Sequence, residues 1–212
     1  MLLKRYAFAF FLLIVVSTLA LGQKADLAFV VGGSFVSDSK ANVLIICPGP
    51  TCPIVPDKIT TSHQVVLEGV PAARLLNLKA ASLHLEVPFA GLPSQKITLA
   101  SNPSNVLDHL SSIFITPSLR LKLLPGALLS PSVSFGGGWA HYSLTGSSTS
   151  KGALQYGGGL DIRLVPHFGL RFEVRDFVSG DPNFGNSGFV FPTESGLHRH
   201  NVLAGGGGVL NF

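Results

Sequence analysis

Charge is scarce in this sequence. Asp, Glu, Lys and Arg make up 12% of the 212 residues, against about 25% in an ordinary soluble domain. With 46% hydrophobic residues, the chain is not the apolar-poor, charge-rich kind that stays disordered. Lys and Arg outnumber Asp and Glu by 15 to 11, but no run of them forms a basic stripe, which argues against a nucleic-acid partner. Cysteine is nearly absent: Cys47 and Cys52 stand alone, and two thiols without clustered histidines cannot hold a zinc ion. Beyond residue 22 no stretch reaches about 20 consecutive apolar residues, so no further membrane helix is expected.

The N-terminus does carry an apolar run. Lys4 and Arg5 precede an uninterrupted apolar segment from Tyr6 to Ala20, and Ala20-Leu21-Gly22 offers small residues for cleavage. Residues 1–22 therefore read as a secretory signal peptide and residues 23–212 as one exported domain. Loss of Lys4 and Arg5 leaves 13 basic against 11 acidic residues. In an oxidising compartment Cys47 and Cys52, bracketing Pro-Gly-Pro-Thr, suggest a small disulfide loop.

Period-two alternation dominates the rest of the chain. It is clearest at 168–176, where Phe168, Leu170, Phe172 and Val174 alternate with Gly169, Arg171, Glu173 and Arg175. The same pattern runs through 82–89, 118–123 and 154–164, and more weakly through 25–36, 64–76, 129–142 and 199–212. These are eight candidate strands. Connections alternate between long and short: 38–62, 90–113 and 179–197 are long, while Asn77-Leu78-Lys79, Pro125-Gly126 and Val165-Pro166-His167 are tight. The segment Thr145 to Lys151 reads as a moderate loop. An up-and-down barrel crossing a membrane has this rhythm, with short turns on the inner side and longer loops outside.

Alternation alone does not say which face looks inward. The C-terminal strand offers a further clue: it ends on Phe212, with Leu210 two positions earlier and glycines before it. This resembles the barrel-assembly signal of bacterial outer-membrane proteins, and the whole mature pattern resembles the small eight-stranded outer-membrane barrels of the OmpA, OmpX and opacity-protein type. The resemblance implies an all-β fold, an eight-stranded antiparallel up-and-down transmembrane β-barrel in the bacterial outer membrane. It also implies outer-membrane lipid and the barrel-assembly machinery as partners, and an extracellular ligand met through loops 38–62, 90–113 and 179–197. Nothing implies a cofactor.

On this reading the charges face a lumen just wide enough to be filled by side chains. Glu68, Arg74, His84, Glu86, Arg120, Lys122, Asp161, Arg163, Arg171, Glu173 and Arg175 are then expected to pair into an ion network closing the barrel, since a buried unpaired charge is costly. Phe35, Phe89, Trp139, Tyr142 and Phe212 are expected at the two membrane interfaces. The glycine runs at 136–138, 157–159 and 205–208 open no helix and carry no Lys-Ser/Thr ending, so they belong to strands rather than phosphate loops.

Chemistry is weakly marked. His141 and Ser143 share a strand face near the outer rim and are the first pair to consider for a hydrolase, but no spacing motif marks a nucleophile. His198 and His200, with the distant His63, lack a clear third metal ligand. The expected role is a non-enzymatic structural or surface-interaction scaffold. The alternatives are a small channel, a lipid-modifying enzyme, and a soluble lipocalin-like carrier whose apolar faces would turn inward.

Overall fold

A computed structural model describes the backbone of residues 24–36, 39–44, 54–99, 102–180, 182, 189–190 and 199–212, and the side chains within 24–36, 62–98, 109–180, 182 and 199–212. The segment 1–22, both cysteines, His198 and most of the connection 179–197 lie outside the described residues. The described elements are all strands.

Eight antiparallel strands form a closed ring: β1 (Ala25–Val36), β2 (Gln64–Asn77), β3 (Ala81–Glu86 continued by Phe89–Leu99), β4 (Asn102–Ile115 continued by Ser118–Leu123), β5 (Leu129–Leu144), β6 (Ser147–Val165), β7 (Phe168–Ser179) and β8 (Arg199–Asn211). Each pairs with the next, and β8 closes on β1 from Asp26↔Asn211 to Val36↔Asn201. Closure leaves no open edge to be satisfied by water, which a hydrocarbon surrounding could not supply.

The breaks in β3 and β4 fall at Pro88 and Pro117, residues that cannot donate to a ladder. The ring survives there because the neighbouring amides reach proline carbonyls: Val87 N–H donates to Pro71 O, Thr116 N–H to Pro88 O and Gly137 N–H to Pro117 O. These prolines also hide the true strand lengths. The segment 90–113, expected as a loop, is mostly the paired arms of β3 and β4, joined from Phe89↔Ile115 to Leu99↔Asn102. Within 38–62, Ser39–Leu44 pairs with Ile54–Thr61, and Ile59–Thr61 adds to the β3 arm. The loop expected at 145–151 is likewise a two-residue turn, with Gly146 at φ 80° between Leu144 and Ser147.

The faces are inside-out relative to a soluble barrel. Phe29, Val31, Phe35, Val65, Leu67, Leu119, Leu121, Val133, Phe135, Trp139, Phe172 and Val174 are exposed on the outer wall, while Glu68, Glu86, Arg120, Asp161, Arg171, Glu173 and Arg175 are buried inside. A carrier with an apolar lumen is therefore excluded, and the wall is one that faces lipid. The parity that points His141 outward turns Tyr142 inward. It is fully buried, its hydroxyl bonds Ser179 Oγ at 2.5 Å, and it is not an interface residue. Phe35, Trp139 and Phe212 do stand on the outer wall.

A cationic side chain on that wall has nowhere to hydrate. Val31, 55% exposed midway along β1, tests the assignment: Val31→Arg should destabilise the barrel by about 2–4 kcal/mol, read as a lowered denaturant midpoint for folding into vesicles.

Candidate functional site

The lumen is filled in layers. Nearest the long-loop end, Phe114, Tyr142 and Phe177 meet across it, with Phe114 centred 4.9 Å from Phe177 and 6.0 Å from Tyr142. Leu92, Ile97, Leu110 and Leu203 pack around them. Arg199 lies over Tyr142 at 5.9 Å, a cation–π contact.

Below this plug lies the ion network. Arg175 on β7 is its centre, and three carboxylates from different strands converge on it. Nη1 is 2.7 Å from Glu86 Oε1, Nη2 is 3.0 Å from Glu173 Oε2, and Nε is 3.2 Å from Glu68 Oε1. The Glu68 contact is an ion pair without hydrogen-bond alignment. Arg120 ties two of these carboxylates, with Nε 2.9 Å from Glu86 Oε2 and Nη2 2.9 Å from Glu173 Oε2. Ser118 Oγ also donates to Glu86 at 3.1 Å. On the neighbouring strand β6 a Cβ at Gly157 would meet Val174 O at 2.5 Å and the Arg175 side chain at 2.9 Å, and one at Gly159 would meet Phe172 O at 2.9 Å and Glu173 Cβ at 3.1 Å.

A second cluster lies nearer the short turns. Arg171 holds Asp161 with two bonds, 2.7 and 3.0 Å, the paired geometry in which guanidinium and carboxylate are strongest. Lys122 Nζ adds a contact to Asp161 at 2.8 Å. His84 Nδ1 sits 3.2 Å from Asp26 Oδ2, and its Nε2 is 2.9 Å from Ser82 Oγ.

Two residues of the sequence-derived set stand apart. Arg163 is exposed, and its guanidinium donates to the Pro125 carbonyl at 2.5 Å. It lies too far towards the turn end of β6 to reach into the lumen. Arg74 lines the mouth of a hollow of about 750 Å³ that opens at the short-turn end, together with Lys24, Asp26, Lys122 and Asp161. Sequence patterning misses Asp26 and Arg199 because their strands alternate weakly. Counting by twos from Ala28 or Leu203, both buried, places them inside.

On the outer wall, His200 Nδ1 is 2.6 Å from Asp176 Oδ2, which also accepts from the Tyr156 hydroxyl at 2.7 Å. His200 thus has a carboxylate partner, and among the described residues no three His, Cys, Asp or Glu converge as a metal site. His141 and Ser143 are brought together on β5: His141 Nε2 lies 3.4 Å from Ser143 Oγ, and Nδ1 lies 2.9 Å from Ser150 Oγ of β6. His63 packs against Phe35, the ring centres 5.1 Å apart.

Removing the shared cation should expose how the network works. Arg175→Met leaves Glu68, Glu86 and Glu173 crowded and buried and should cost about 3–5 kcal/mol. Adding Glu68→Gln should recover part of that loss. Denaturant midpoints of the single and double variants provide the comparison.

No family model and no curated protein matches the sequence. Solved structures do match. The outer membrane protein OprG of Pseudomonas aeruginosa aligns with a TM-score of 0.54 at 12% identity, covering 90% of this chain and 96% of that one. Neisserial surface protein A aligns with a TM-score of 0.52 at 13% identity, covering 89% and 97%. With its closed ring, polar lumen and apolar wall, the chain has the fold of the small bacterial outer-membrane β-barrels.

Proposed function

We propose that this chain is an outer-membrane barrel with a sealed lumen, serving as a structural and surface-interaction scaffold rather than as a channel. The observation that carries this is the double closure of the lumen: an ion network centred on Arg175 and, beyond it, the plug of Phe114, Tyr142 and Phe177. An eight-stranded ring has little room for anything else. The hollow at the short-turn end is lined in part by Asp26, Lys122 and Asp161, members of the paired charges.

The paired arms of β3 and β4, with the added strands 39–44 and 54–61, form the surface such a scaffold would present. Connections held by a rigid ring are where binding specificity usually resides. Segment 1–22 would direct export, and Leu210 and Phe212 would serve assembly. Leu210 is turned to the outer wall, and the Phe212 amide donates to Ala25 O at 2.8 Å.

Two measurements test the reading. Reconstituted in planar bilayers, the protein should give no discrete conductance steps; steady openings would favour the channel. For orientation, single cysteines are placed in a Cys47→Ser/Cys52→Ser background. On intact cells Ser94→Cys should react with a membrane-impermeant maleimide, whereas Leu128→Cys, in the β4–β5 turn, should react only after permeabilisation.

A further inference from the structure

The outer wall carries one feature that a passive scaffold does not require. Trp139 on β5 is half exposed to the surroundings, and an outward tryptophan typically marks the boundary between hydrocarbon and headgroups. The next two outward residues towards the long-loop end are His141 and Ser143. They lie about 7 and 13 Å further along the strand, at the level of the headgroups.

The imidazole of His141 is bridged on both sides, by Ser143 Oγ at 3.4 Å on Nε2 and by Ser150 Oγ at 2.9 Å on Nδ1. In the tautomer with its proton on Nδ1, the ring donates to Ser150 and leaves Nε2 to accept from Ser143. This is the order of contacts that a serine nucleophile, its base and an orienting group need.

Beside this set lies a hollow of about 290 Å³ on the outer wall, spanning β2 to β5. Leu67, Pro93 and Ile113 border it, and His141 and Ser143 stand at its edge. It exists for local reasons. Gly91 contributes no side chain, and the ladder between β3 and β4 shifts register between Leu92 and Gln95, around Pro93. An apolar recess opening on lipid next to an activated hydroxyl fits a fatty acyl chain whose ester carbonyl lies at Ser143.

We propose that Ser143, His141 and Ser150 form a lipid acyl-esterase site on the outside of the barrel. Ser143 Oγ attacks the ester carbonyl carbon while His141 Nε2 takes its proton. The bond to the alcohol oxygen breaks, and that oxygen leaves with the proton from Nε2. Water then attacks the acyl-serine, giving a proton to His141; the acyl–Oγ bond breaks and Oγ recovers the proton. The net change is ester plus water to fatty acid plus alcohol. Ser143 and His141 are the catalytic residues, Ser150 a positioning residue, and the sealed lumen takes no part.

The test uses the full barrel refolded into vesicles of phosphatidylethanolamine, with and without lipid A, with released fatty acid measured by mass spectrometry. Gel mobility before and after boiling verifies folding of every variant. Fatty acid should appear with the unaltered protein and fall by about 10²–10⁴-fold in Ser143→Ala and His141→Gln. Ser150→Ala should lower kcat about tenfold or more with KM unchanged, and Ser150→Asp should restore it, since a carboxylate also orients the ring. Gly91→Phe, which fills the hollow, should raise KM. Release from phosphatidylethanolamine alone assigns a glycerol ester as the substrate, and release only with lipid A assigns the glycolipid's acyl ester. A folded barrel that releases nothing from either vesicle, or releases as much after Ser143→Ala, overturns the proposal while leaving the barrel reading intact.

Discussion

The structure turns on where its few charges go. A wall facing lipid disfavours them, so the strands direct most of them into a lumen just wide enough to be filled by side chains. There they are tolerable only in mutual contact. Arg175 meets this constraint for Glu68, Glu86 and Glu173 together, and each of these carboxylates comes from a different strand or strand position. The network therefore fixes which strands face each other across the ring, a relation that ladder hydrogen bonds alone do not specify. Glycine at 157 and 159 lets β6 and β7 run close, because a Cβ there would meet first the Val174 and Phe172 carbonyl oxygens and then Arg175 and Glu173.

The two halves of the lumen use different chemistry for the same end. Near the long-loop end, aromatic rings fill the space; nearer the short turns, paired charges fill it. The ionic half resists lateral shear through directional bonds, and the aromatic half excludes water through packing. A barrel so occupied has little freedom left inside. The outer surface carries the polar groups that packing does not explain: the Tyr156–Asp176–His200 cluster and the imidazole bridged by Ser143 and Ser150.

Much of the ring can be read from the chain because a half-lipid, half-lumen strand must alternate. The pattern at 168–176 carries β7 intact, and Ser118 to Leu123 carries the lower part of β4. Elsewhere the same physics conceals itself. Pro88 and Pro117 interrupt the rhythm without ending the strand, since carbonyls on either side still receive neighbouring amides. The outer parts of the arms lie past the membrane, where alternation is no longer enforced, so 90–113 looks like loop. Asp26 and Arg199 sit beside weak patterns that do not mark them, while Arg163 has lumen parity but lies beyond the lumen's end. The meeting of His141 with Ser150 depends on the β5–β6 register, which two-residue turn geometry sets and a moderate loop would obscure.

The seam between β1 and β8 has a consequence in time. Gly205 and Gly207 let the two backbones run close together; a Cβ at Gly207 would meet the Phe29 carbonyl oxygen. This contact joins the most distant parts of the ring's sequence, from Asp26↔Asn211 onward, and so carries the largest loop-closure entropy of any strand pair. That entropy weighs against its forming before the ladders between consecutive strands. Until the contact forms, both seam strands hold unpaired amides and carbonyls that lipid cannot satisfy. A partly closed ring is thus unstable in the bilayer from both directions, and insertion and closure become one event, gated by the glycine strand.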